Sequence, residues 1–170
     1  MYDLIDRLKT AGVVLRGETT LSSGTKSNVY FDFKKIYGNH ELLIELVDNL
    51  HRLIEDDNWN FDFIAGYDVG GSPLATAICI LYNHKLTLVR PQAKDHGTKR
   101  LIEGYIPQET DIGVVVDDVF TTGNSLSLAC NTIQSETRAH ISGCYVLLKR
   151  SNNYFNRNLK YLFTAEDFLK

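Results

Sequence analysis

Apolar residues along this chain alternate between helical and strand-like spacing. The clearest helix is predicted over 40–56, where Leu43, Leu46, Val47, Leu50, Leu53 and Ile54 recur on one face. A shorter helix is predicted over 2–11, with Leu4, Ile5 and Leu8 on one side. The pattern then alternates. Strands are predicted at 61–65, 86–90, 111–119, 141–148 and 161–163. Helices are predicted at 73–82, with Pro73 in the first turn, and at 125–136, with a last helical turn at 165–169. The strands are solidly apolar, as in Val114-Val115-Val116. Such strands joined through helices imply an α/β fold, a mostly parallel sheet covered on both faces. Ligands in that architecture bind where strand C-termini meet helix N-termini.

At 170 residues, one domain over 1–170 is expected, and no linker or repeat divides it. The composition is globular, 44% hydrophobic and 23% charged, which argues against disorder or a coiled coil. A net charge of −3 argues against a general nucleic-acid surface. The apolar runs are too short for a membrane span, and the N-terminus lacks a secretion-signal pattern. Cys79, Cys130 and Cys144 lie in apolar segments without metal spacing, so buried free thiols in a reducing cytoplasm are expected. His40, His51, His84 and His140 show no partner pattern and read as surface or structural.

The chemistry concentrates in one segment. Asp117 and Asp118 close an apolar strand, and Val119, Phe120, Thr121, Thr122, Gly123, Asn124 and Ser125 lead into a helix. A helix N-terminus offers free N–H groups and partial positive charge to a phosphate. Thr121, Thr122 and Ser125 add hydroxyl donors, and Gly123 lets the backbone come close. The two carboxylates can accept hydrogen bonds from vicinal hydroxyls. Phosphate donors beside diol acceptors describe a ribose-5-phosphate site; helix capping alone does not call for two consecutive acids. Residues 66–72 have near-P-loop spacing, but Ser72 stands where the essential Lys belongs. No GxGxxG follows a strand.

This segment closely resembles the 5-phosphoribosyl-1-pyrophosphate (PRPP) signature of type I phosphoribosyltransferases. Two further stretches resemble the orotate phosphoribosyltransferase branch. They are Gly17-Glu18-Thr19-Thr20-Leu21-Ser22-Ser23-Gly24 with Ser27 and Tyr30-Phe31-Asp32, and Arg90-Pro91-Gln92-Ala93-Lys94-Asp95-His96-Gly97. The resemblance covers nearly the whole chain. It implies the type I phosphoribosyltransferase fold, with residues 1–36 forming an N-terminal hood and 90–104 a mobile catalytic loop. The implied activity transfers phosphoribosyl from PRPP to orotate, giving orotidine 5′-monophosphate and pyrophosphate for pyrimidine synthesis. It also implies a cytoplasmic homodimer with shared active sites. Other phosphoribosyltransferases, or a non-catalytic PRPP sensor, remain rival readings.

Residues 85–100 hold Lys85, Arg90, Lys94, Lys99 and Arg100 against Asp95, a local charge of +4. In an acidic chain this suggests a specific anionic ligand. Negative charge grows on pyrophosphate as it leaves C1, so cations aimed there favour the transition state. Lys94, His96 and Arg90 are the candidates, and Lys94, His96 and Asp118 are assigned the catalytic roles. Gly70 and Gly71, read as part of a loop, are expected to line the pyrophosphate as an anion nest. Mg2+ is expected to ride mainly on PRPP with few protein ligands. Lys26, Tyr30, Phe31, Thr122 and Arg150 are the candidate orotate contacts, Arg150 on the strength of the resemblance. Four positions depart from the commoner family pattern. Pro91-Gln92 replace Lys-Glu, Gly70 stands where many members carry Lys, Asn124 replaces a Gly, and Lys149 replaces an Asp. Asn124 is expected to tolerate the unusual backbone that Gly allows.

Overall fold

The computed structural model describes residues 2–20, 26–57, 60–92 and 100–169. The chain opens with α1 (Tyr2–Thr10), then a hairpin of β1 (Val14–Thr20) and β2 (Lys26–Phe31). A 3-10 helix (Phe33–Gly38) leads into α2 (His40–Asp57). There follow β3 (Phe63–Tyr67), α3 (Asp68–Tyr82), β4 (Lys85–Val89), β5 (Ile102–Gly104), β6 (Ile112–Phe120) and α4 (Asn124–Thr137). The chain closes with β7 (His140–Lys149), β8 (Leu159–Thr164) and α5 (Ala165–Leu169).

The main sheet runs β5-β4-β3-β6-β7-β8. Its strands pair in parallel except at β5, which is antiparallel to β4. Period-two alternation then builds two cores. Val114, Val116, Tyr145 and Leu147 face α2, α3, α1 and the hood. Val115, Cys144 and Val146 face α4. Each of these valines is fully buried, stabilising the fold by roughly 1.5–3 kcal/mol. The mostly parallel sheet with helices on both faces is the architecture expected from the sequence.

The structure also departs from the sequence reading. The hood contains a hairpin, which polar, weakly alternating residues did not signal. The third helix begins at Asp68 rather than Pro73, so Gly70 and Gly71 lie in its first turns and not in a loop. Strand passes directly into helix because Asp68 takes φ +46°, a left-handed turn that Asp tolerates better than most residues. Pro73 removes the N–H that would bond the Val69 carbonyl. The Tyr37 hydroxyl lies 3.4 Å from that oxygen and donates to Gly70 O at 2.9 Å. The segment 90–104 ends in strand β5. His51 and His84 prove to be partners, with their Nε2 atoms 2.8 Å apart.

Cys79, Cys130 and Cys144 are buried free thiols. Among the described residues no helix is long and apolar enough to cross a membrane.

Candidate active site

The parallel strands β3, β4, β6 and β7 end on one side of the sheet, and there the candidate residues gather. Asp117 and Asp118 occupy the last turns of β6, and Asp117 is 5% exposed. The Asp118 N–H donates to Asp117 Oδ1 at 2.9 Å, and the Val119 N–H donates to Asp118 Oδ1 at 2.7 Å. Burial, then repulsion from Asp118, pushes the Asp117 carboxyl well above the ordinary carboxylate range. Asp118 Oδ2 faces Lys34 Nζ at 3.6 Å, and the same ammonium lies 3.1 Å from Asp32 Oδ1. Burial opposes the Lys34 charge, but Asp118 and Asp32 outweigh it and raise its pKa.

A cavity of about 170 Å³ opens beside the pair, lined by residues 119–126 with Tyr67, Asp117 and Leu128. The ladder of α4 opens with the Ser127 N–H donating to Gly123 O at 2.8 Å. Helix geometry therefore leaves the amides of Asn124, Ser125 and Leu126 at the cavity. Gly123 carries the positive φ, +81°, and a β-carbon there would meet Phe155 at 2.8 Å and Phe120 at 2.9 Å. Asn124 is the first helical residue, so no special backbone falls on it, contrary to expectation. The loop is braced from behind. Ser151 Oγ donates to the Thr121 carbonyl, as does Asn153 Nδ2 at 2.9 Å.

The start of α3 forms the facing wall. A β-carbon on Gly71 would lie 2.2 Å from Val116 O, and one on Gly70 would lie 2.6 Å from Asp117 Oδ1. Both glycines are required by this close approach. They belong to a helix N-terminus rather than to a loop nest: the Gly70 amide stays a free donor beside the acid pair, whereas the Gly71 N–H is taken up by the first ladder bond, to Tyr67 O.

The phosphoribosyl transferase domain model matches residues 32–167. The chain belongs to the phosphoribosyltransferase family. The orotate phosphoribosyltransferase of Methanocaldococcus jannaschii is 38% identical over 147 residues, 86% of this chain and 81% of that protein. That of Methanosphaera stadtmanae is 34% identical, covering 98% and 95%. The crystal structure of orotate phosphoribosyltransferase from Aeropyrum pernix is similar at TM-score 0.85 and 31% identity, covering 98% of this chain and 96% of that one.

In this phosphoribosyltransferase the remaining expected residues are distributed unevenly. Arg90 follows β4 at the same side of the sheet, its Nη1 4.0 Å from Glu103. Lys85, counted in the basic segment, sits at the opposite end of β4 and donates to the Tyr105 hydroxyl at 3.1 Å. Lys94 and His96 lie outside the described residues. Arg150 follows β7, donates to Val29 O of the hood at 2.8 Å, and lies 6.0 Å from the centre of the Phe31 ring. Phe31 is buried edge-on against Phe168, so it fills core space. Tyr30 is half-buried beside it, and Thr122 is exposed at the phosphate loop. Lys26 pairs with Glu18 at the other end of the hairpin, roughly 16 Å along the strand from Phe31. Lys149 turns away, its ammonium 5.3 Å from the Tyr161 ring centre.

Sequence reasoning missed Asp32, Lys34 and Tyr37 as site residues of the phosphoribosyltransferase. Burial, then the charges of Asp118 and Asp117, raise the Tyr37 pKa, so its hydroxyl stays a proton donor. The available signal was a period of three, with Phe33 and Ile36 apolar and Lys34 and Tyr37 following in step.

Proposed function

We propose that this phosphoribosyltransferase takes orotate as its base, transferring phosphoribosyl from PRPP to give orotidine 5′-monophosphate and pyrophosphate. The observation that carries the PRPP reading is the acid pair near the end of β6, a short loop before the α4 N-terminus, and the choice of orotate is supported by the orotate phosphoribosyltransferases this chain resembles. Amides and hydroxyls of residues 121–126 receive the 5′-phosphate, while Asp118 accepts from the ribose hydroxyls. Asp117, buried and favouring its proton, supports Asp118 through the backbone. The bond from C1 to pyrophosphate breaks with its electron pair on the leaving group. A bond forms from C1 to the orotate ring nitrogen, which gives up its proton. Arg90, Lys94 and His96 stabilise the growing negative charge. The free amide at Gly70 holds the diphosphate, and Gly71 serves by letting α3 approach β6. Arg150 and Tyr30 orient the base beneath the hood. Thr122 completes the proposed base contacts and Phe31 supports them from the core, whereas Lys26, expected to touch the base, lies too far along the hairpin to do so.

Among the described residues no three His, Cys, Asp or Glu side chains converge as a metal cage. Mg2+ is proposed as an ion carried by the diphosphate and held through the residues that hold those phosphates, on the chemistry of a multiply charged leaving group. It would neutralise charge on the leaving group. A homodimer with shared sites is proposed on the family resemblance. Val69 and Ile80, both exposed and three turns apart on one face of α3, supply an apolar surface for a second copy. Cytoplasmic residence is proposed on the buried free thiols.

The purified protein is expected to remove the orotate absorbance band only with PRPP and Mg2+ present. Turnover of uracil or a purine, with none of orotate, would replace the base assignment. Tight PRPP binding without turnover of any base would make the protein a PRPP sensor.

A further inference from the structure

The 3-10 helix between hood and sheet has three residues per turn, so residues three apart share an edge. Phe33 and Ile36 form one edge and are fully buried. Lys34 and Tyr37 form the next, and both turn to the ribose site. Tyr37 donates to Gly70 O at 2.9 Å, fixing this edge to the first turn of α3. Lys34 places its ammonium between Asp32, just past β2, and Asp118, near the end of β6. It is the cation among the described residues that ion-pairs with the acid pair. Position 70, a glycine, supplies none.

We propose that Lys34 is the positioning residue of the ribose-binding acids, holding Asp118 aimed at the sugar hydroxyls and joining the hood to the sugar site. The inference rests on the assignment of that pocket to PRPP. Asp118 has its Oδ1 engaged by the Val119 amide, and Lys34 faces its Oδ2 as an ion pair at 3.6 Å. Each oxygen keeps a lone pair free to accept from a sugar hydroxyl. Without the ammonium, the Asp32 and Asp118 carboxylates would face each other uncompensated, and Asp118 would turn away from Asp32.

The test compares Lys34→Met with Lys35→Met, the same charge change one residue along, on the exposed edge of the 3-10 helix. Lys34→Arg is the conservative variant. PRPP affinity is read by calorimetry without base, and both substrate KM values are read by steady-state assay. Lys34→Met is expected to weaken PRPP binding and raise its KM about tenfold or more, with orotate KM and melting temperature little changed. Lys35→Met is expected to stay within about twofold of wild type, and Lys34→Arg to recover most of the affinity. PRPP affinities that match for Lys34→Met and Lys35→Met would overturn the proposal. So would a Lys34→Met defect divided equally between both substrates. Because the calorimetry needs no base, it stands even if wild-type protein proves to use a base other than orotate.

Discussion

Gly70 and Asp117 approach so closely that a β-carbon on the glycine would sit 2.6 Å from the carboxylate oxygen. The first turn of α3 and the end of β6 are thus fitted to each other through the absence of a side chain. Gly70→Ala is expected to displace the acid pair and raise the PRPP KM by about tenfold or more. Steady-state kinetics check this, with circular dichroism confirming that the fold survives. An unchanged KM would show that the acids yield without consequence.

Asp118→Asn keeps an oxygen for the Val119 amide but removes the charge that faces Lys34 and the sugar. Charge-assisted hydrogen bonds are worth about 1.5–3 kcal/mol, so PRPP binding is expected to weaken by about 10- to 100-fold. Titration calorimetry with PRPP reads this directly; wild-type affinity would remove the diol role.

Gly123→Ala places a side chain at φ +81° and against the rings of Phe155 and Phe120. The backbone alone costs about 1–2 kcal/mol, which lowers the melting temperature by about 2–8 °C in a domain of this size. Thermal melting with and without ribose 5-phosphate should show both the loss of stability and a smaller shift on ligand addition.

The pair of His51 and His84 predicts an acid-sensitive fold. Burial lowers the His51 pKa from 6.5, and burial followed by the neighbouring His51 lowers that of His84. The charged and polar groups facing them are Glu55, Asp48 and Tyr82, of which Tyr82 stacks on His51 at 3.6 Å. Both imidazoles favour the neutral form when folded, so the unfolded chain binds more protons in the window below 6.5. Their stabilisation is complete above about pH 6.5 and declines as pH falls from there through the lowered folded values. Melting temperatures measured from pH 7.5 to 5 should fall across that window. The slope should flatten in a His51→Phe, His84→Phe double variant.

The sequence made the sheet and the phosphate-binding turn legible because both are local. Three apolar residues, two acids and a run of small hydroxylated residues announce strand, diol acceptor and helix start within a dozen positions. The opening of α3 was hidden because Gly70, Gly71 and Pro73 are poor helix residues. The two glycines are there for a contact with β6 nearly fifty positions away. The His51–His84 pair escaped for the same reason, joining two elements across 33 positions. Phe31 was read as a base contact from its motif, whereas its ring is packed edge-on into the core against Phe168.

The three-residue period of the segment at 33–38 carries an evolutionary consequence. Inserting or deleting one residue there would rotate everything beyond it by about 120°, exchanging Phe33 and Ile36 in the interior for Lys34 with Tyr37 or Lys35 with Gly38. The length of this connector is therefore as constrained as any side chain it carries.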